Sequence, residues 1–138
     1  MEMIIDFPGG ARVDAHFADH TIKTDQPAPA GEGSAPTPFA VFLASIGTCA
    51  GIYVLGFCQN RGIPTDGIRI MQRMDRDMMT GLVSKVTLEI QVPPSFPEKY
   101  HAALVRSASQ CAVKKHLENP PKFNVYTSVK DRIETQEV

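Results

Sequence analysis

The chain has 138 residues, the length of one domain, and its 43% hydrophobic and 21% charged residues are globular values that argue against disorder. At this size roughly 68–70% of the unfolded surface can be buried, enough for a core without disulfide staples. Fourteen basic and fifteen acidic residues give a net charge of −1 with no long basic block, which argues against a nucleic-acid or anionic-membrane surface. From the N-terminus, residues 2–7 are apolar and β-prone, and Pro8-Gly9-Gly10 signals a turn. Residues 12–17 alternate, placing Val13, Ala15 and Phe17 on one face, and a third strand is expected over residues 20–24. Residues 26–36 read as an exposed Pro/Gly loop. Thr37 then serves as N-cap and Pro38 as first residue of a helix running to about Asn60, ending near Gly62 with Pro64 beyond.

Further along, Ile68, Ile70, Gln72 and Met74 alternate with charged residues in a fourth strand. After a turn near residues 78–81, Val86, Leu88, Ile90 and Val92 form a fifth. Pro97-Glu98 opens a second helix whose stripe is Tyr100, Ala103, Leu104, Ala108 and Cys111. A final strand is expected over residues 123–129. The order βββ-α-ββ-α-β is α+β, a single domain over residues 1–133 with a polar tail at 134–138.

Charge is missing from one stretch: between Asp25 and Arg61 the only charged residue is Glu32. Residues 40–58 are nearly all apolar, close to the length of a membrane span, with Gly47 and Gly51 forming a GxxxG. Against a span, strand-like segments lie on both sides and would need each other to form a sheet. There is also no Trp and no flanking Lys/Arg cluster. A helix apolar all round must be covered on all sides, and one small sheet covers one. A second copy of the chain is the expected cover, hence a homodimer.

The three cysteines are Cys49, Cys58 and Cys111, none in a CxxC, so neither a secreted disulfide scaffold nor a zinc ribbon is expected. Residues 1–6 carry no basic region or cleavable apolar segment, so the expectation is a cytoplasmic protein with reduced thiols. Cys58 is nine residues after Cys49, about 900° of helical rotation, and faces the other way; it reads as a core residue. The plausible partners are Cys49 and Cys111, on different elements. A reactive Cys49 needs its thiolate stabilised, yet it lies about three turns into the helix, beyond the reach of that helix's dipole. Arg61 is about 18 Å along the axis. A cation from another segment or chain is therefore expected.

The segment PTPFAVFLASIGTCAGIYVLGFC resembles the central helix of the OsmC/Ohr family, the osmotically inducible and organic-hydroperoxide-resistance proteins. SASQCAVKKHLENPP resembles that family's second cysteine region, and GGARVDAHF followed by TIKTDQP its early strands. The resemblance covers about residues 3–130. It implies an intertwined homodimer of OsmC-like fold, with Cys49 as peroxidatic cysteine, Cys111 as resolving cysteine and Arg12 as the thiolate-activating arginine. Strand alternation puts Arg12 opposite Val13 and Ala15, and Lys114, Lys115 and His116 are rival cations. The chain departs from the family at Phe39, where peroxidases of the family carry a Glu paired with the arginine; Glu32 is the alternative carboxylate.

The resemblance thus implies a peroxidase that reduces organic hydroperoxides through a sulfenic acid and then a disulfide, recycled by a dithiol reductant, with no metal or organic cofactor. The rival reading is a non-catalytic module of the same fold that senses oxidants or binds an apolar ligand, favoured by Phe39. A metal site from Cys111 and His116, with His16, His20 and His101 on separate elements, has no zinc-like spacing.

Overall fold

In the computed structural model, which describes residues 1–130, Pro8-Gly9-Gly10 turns the chain back on itself. The flanking strands pair antiparallel, β1 (Ile4–Gly9) with β2 (Arg12–Phe17), Ile4 opposite His16 and Asp6 opposite Asp14. Gly10, at φ +58°, takes a conformation that a residue with a Cβ rarely adopts, which is why the turn uses glycine. β3 (His20–Ile22) pairs with β2 from Ala15 to Phe17. Beyond the strand the pairing continues, as the Val13 amide donates to the Thr24 carbonyl at 3.2 Å and the Thr24 hydroxyl donates back to the Val13 carbonyl. The most buried residue of β2 is Asp14, on the face opposite Val13 and Ala15.

Residues 26–36 form the expected exposed loop, and it hangs from one buried carboxylate. Asp25 is 1% exposed and accepts the Ser34 hydroxyl at 2.6 Å, the Ser34 amide at 3.0 Å and the Gln26 amide at 2.7 Å. These bonds, Ser34's hydroxyl foremost, hold its pKa down to about 2. Gly31 sits so close to the Gln26 carbonyl and the Asp25 carboxylate that no Cβ fits.

The central helix α1 (Pro38–Asn60) has the expected limits. The Thr37 hydroxyl accepts the Ala40 amide at 3.1 Å, satisfying a first-turn donor. At the other end Gly62, φ +62°, closes a Schellman motif, with Ile63 donating to the Cys58 carbonyl at 2.9 Å and Gly62 to that of Gln59 at 3.3 Å. Ile46, Ala50, Val54, Phe57 and Cys58 are buried, one stripe at helical spacing. Ala44, Thr48 and Ile52, on the other side, are exposed although the helix is apolar throughout. By length and composition alone α1 is also long and apolar enough to cross a membrane.

β4 (Arg69–Arg76) and β5 (Val83–Gln91) form an antiparallel hairpin, with Ile70 opposite Ile90 and Gln72 opposite Leu88. Asp77 builds the turn by accepting the amides of Met79 and Thr80, each at 2.8 Å, and Gly81 follows at φ +72°. The strands before and after α1 do not share a sheet, contrary to expectation: β1-β2-β3 and β4-β5 are separate. Ile70, Leu88 and Ile90 of the hairpin pack on a core of Ala50, Val54, Phe57, Cys58, Phe96, Leu104 and Ala108. Burying each large side chain of that set contributes about 1.5–3 kcal/mol.

The expected second helix is two. A 3-10 turn (Glu98–Tyr100) leads into α2 (His101–Ala108), the chain breaks at Ser109 and Gln110, and α3 (Ala112–Glu118) follows. Cys111 is therefore not the last residue of a stripe. It leaves the helical region at φ −46°, ψ 124° and caps α3, its sulfur accepting the Lys114 amide at 3.5 Å. The final strand expected over residues 123–129 is absent, because no described strand pairs with it: Phe123, Val125, Tyr126 and Val129 are all at least 79% exposed. The architecture is α+β, in the order βββ-α-ββ-α-α. Met1–Phe42 with the segment from Pro121 make one unit and Leu43–Pro120 another. The domain limit expected at residue 133 and the tail 134–138 lie outside the described residues.

Candidate functional site: two unequal thiols

Within Leu43–Pro120, the α2–α3 segment runs back along α1. The Ser107 hydroxyl donates to the Tyr53 carbonyl at 3.4 Å, Tyr100 meets Phe57 edge to face at 5.8 Å, and the Cys111 thiol points to the Ile46 carbonyl at 3.9 Å. This antiparallel course delivers the start of α3 to the middle of α1, where Cys49 sits. Cys49 and Cys111 come together as free thiols, near enough for each to shift the other's ionisation.

Their environments push them in opposite directions. The Val113 amide is the strongest influence on Cys49, followed by the Cys111 thiol and, more weakly, the Ala112 amide; together they outweigh partial burial and lower its pKa. Cys111 is 2% exposed, and burial first, then the neighbouring Cys49 sulfur, push its thiol up. The Cys49 thiol therefore ionises more readily than the Cys111 thiol. Cys58 is fully buried in the core and raised by desolvation, as its core reading requires.

The sequence pointed to a cation as the missing stabiliser, and the structure supplies donors of another kind. The groups lowering Cys49 are backbone amides at the first turn of α3 and a thiol, none of them a side-chain cation. What hid them was the break at Ser109-Gln110. Cys111 is a weak N-cap signal beside Ser, Thr, Asp or Asn, so the new helix start did not announce itself.

Arg12 lies in the other unit, at the first position of β2, where its Nε donates to the Gly9 carbonyl at 3.2 Å across the turn. Of the rival cations, Lys114 pairs with Glu118 at 3.7 Å and the His116 ring lies 2.6 Å from the Ala112 carbonyl. Phe39 is 44% exposed and stacks on Phe42 with centroids 5.7 Å apart. Glu32 is an exposed loop residue whose amide helps hold Asp25. Among the described residues no three His, Cys, Asp or Glu side chains are grouped to hold a metal ion.

The profile of the OsmC-like protein family matches residues 31–126, and the chain belongs to that family. A solved structure from Psychrobacter arcticus 273-4, provisionally described as an osmotic stress induced and detoxification response protein, superposes with a TM-score of 0.68. It is 21% identical over 82% of this chain and 85% of that one. An OsmC-like protein from Vibrio cholerae O1 gives a TM-score of 0.59 at 11% identity, covering 85% and 92%. The organic hydroperoxide resistance protein OsmC from Legionella pneumophila gives 0.53 at 18%, covering 85% and 89%. At these identities the likeness establishes the fold. Comparison with curated proteins finds no match.

Proposed function

We propose that this chain is a thiol-dependent peroxidase acting on organic hydroperoxides. The carrying observation is the Cys49 sulfur, lowered in pKa by the Val113 amide, the Cys111 thiol and the Ala112 amide, beside a Cys111 whose thiol burial pushes up. The Cys49 thiolate attacks the distal oxygen of ROOH; the O–O bond breaks, RO⁻ leaves and takes a proton to give the alcohol, and Cys49 becomes a sulfenic acid. The Cys111 sulfur then attacks the Cys49 sulfur, a disulfide forms and water leaves. An external dithiol reduces the disulfide by exchange and is itself oxidised to a disulfide. Arg12 is retained as a third catalytic residue on family resemblance. No metal or organic cofactor enters the cycle. The family link to a hydroperoxide-resistance protein supports the reading.

The test is to titrate the reduced protein with cumene hydroperoxide in a stopped-flow instrument and count thiols by mass spectrometry. One equivalent should remove two thiols and yield a Cys49–Cys111 disulfide, and Cys49→Ser should show no turnover. Full activity in Cys49→Ser overturns the mechanism.

A second reading, an oxidant-sensing or apolar-ligand-binding module, is favoured by Phe39, which puts an exposed aromatic ring where the family's peroxidases carry a carboxylate. Slow, single oxidation without recycling by any dithiol would select it.

The working form we propose is a cytoplasmic homodimer, without nucleic-acid or membrane partners. Exposed Phe42, Ala44, Thr48 and Ile52 on an otherwise apolar helix support a second copy as their cover. Sedimentation in detergent-free buffer should give a dimer, and Thr48→Arg should give monomers. A monomeric wild-type chain, or one soluble only in detergent, refutes it.

A further inference from the structure

Two turns meet beyond the C-terminal end of α1. The first is closed by the Ile68 amide donating to the Thr65 carbonyl at 2.9 Å, the second by the Phe96 amide donating to the Pro93 carbonyl at 2.9 Å. Gly67 brings them into contact: at φ +76° its backbone lies so near Pro93 that a Cβ there would stand 3.5 Å from the proline ring. Between the turns is a cavity of about 290 Å³, lined by Ile63, Pro64, Asp66, Pro93, Ser95 and Phe96.

Most of this lining is apolar and held in place. Phe96 is 6% exposed and belongs to the core, Ile63 packs on that core, and the two prolines have a locked φ. A ligand therefore has little of the wall left to order. The charge in the lining is one-sided. Of the six residues only Asp66 is charged, and its carboxylate forms no ion pair among the described residues. Ser95 adds a hydroxyl, a further acceptor. Apolar walls with a carboxylate and no cation match a short alkyl body that ends in an ammonium group. The body leaves water, and the ammonium brings three donors and a positive charge to Asp66. A carboxylate ligand would meet Asp66 as a like charge, and an alcohol would bring one donor and no charge. The volume is at the small end of ligand sites, which suits a chain of about four carbons rather than a long one.

We propose that this cavity is a binding site for primary alkylammonium groups, with the Asp66 carboxylate as anchor and Ile63, Pro64, Pro93 and Phe96 as its apolar wall. It shares no residue with the cysteine pair or with the exposed face of α1, and it does not depend on the peroxidase reading. The same chemistry is offered by a free short-chain amine and by a lysine side chain of another protein.

Two titrations of the whole chain, followed by backbone amide shifts in NMR spectra at low salt, decide it. The first compares n-butylammonium, 1-butanol and butyrate. Butylammonium should bind about fivefold or more tightly than butanol, the reach of one exposed ion pair, and butyrate should bind most weakly. The shifts should fall on Asp66, Gly67, Ser95 and Phe96. Asp66→Asn should bring butylammonium down to the level of butanol, Asp66→Glu should keep part of the preference, and raised salt should narrow it. Ser95→Phe, which puts bulk into the lining, should weaken butylammonium and butanol alike. Equal binding of the three molecules, shifts at other amides only, or a preference unchanged in Asp66→Asn overturns the site.

The second titration uses the Nα-acetyl, N-methylamide derivative of lysine, with and without an acetyl group on its Nε. Binding of the unacetylated form at least as tight as that of butylammonium, with the same shifts, identifies a lysine side chain as the ligand. Binding of butylammonium alone identifies a free amine. Acetylation removes the charge and should abolish binding; if the acetylated form binds as well as the unacetylated one, the charge plays no part and the proposal fails.

Discussion

The Ala112→Pro variant tests the thiolate's activation with little collateral damage. Ala112 is the first residue of α3, the helical position where proline is best tolerated, and Cys111 before it already has the extended conformation that a residue preceding proline favours. The substitution deletes one backbone N–H that donates to Cys49. A hydrogen bond to a charged acceptor is worth about 1.5 kcal/mol at its low end, and the Ala112 amide is the weakest of the influences on Cys49, so at most a roughly tenfold loss of thiolate should follow at any pH below the thiol's pKa. The more basic sulfur is also more nucleophilic, by at most about threefold at a Brønsted slope of 0.4–0.5. The two effects leave a net loss of up to about threefold near pH 7 and a gain of up to about threefold at a pH where the thiol is fully ionised. Iodoacetamide labelling of the Cys49 peptide, timed by mass spectrometry at both pH values, reads this crossover. Ala112→Ser keeps the amide and controls for disturbance of the helix. Equal rates for wild type and Ala112→Pro at both pH values would refute a contribution of the Ala112 amide to the thiolate's activation.

Three other outcomes are expected. Because Asp25 titrates lower in the folded chain, at about 2, than a free carboxylate does at about 3.9, its stabilisation is complete above the free value and is lost as pH falls through 2. Guanidinium midpoints from pH 5 to pH 2 should show this, with a shallower decline in Ser34→Ala. Gly31→Ala should lower Tm by a few degrees, since the new methyl meets the Gln26 carbonyl and the Asp25 carboxylate together; an unchanged Tm would mean that the loop is not held as described. Cys58→Ala should cost about 1–2 kcal/mol in urea unfolding while cumene hydroperoxide still consumes two thiols, as expected of a core residue outside the chemistry.

What the sequence showed clearly was what local chemistry decides. Thr37, Pro38 and Gly62 mark the limits of α1 because capping and a left-handed turn depend on neighbours in the chain. The β4–β5 hairpin was legible from alternation, and the pairing of interest, Cys49 with Cys111, was narrowed by helical rotation alone. What stayed hidden depends on contacts between distant residues. The apolar stripe ran unbroken through Ala108 to Cys111 in sequence, but two polar residues end α2 and a sulfur caps the next helix. The face of β2 that is buried carries Asp14, which alternation of apolar residues could not reveal. Residues 123–129 have the composition of a strand, but composition does not provide a neighbour to pair with.

The cap at α3 ties covalent state to backbone order. Cys111's sulfur is the acceptor for the Lys114 amide, and α3 has only seven residues over which to spread the loss of that bond. A reaction that turns this sulfur away from the Lys114 amide, as bonding to Cys49 would, unties the cap of the helix's first turn. A change at one atom therefore registers as faster hydrogen exchange at the Lys114 amide. The backbone becomes its own reporter, readable in the unlabelled protein with no probe attached to either thiol.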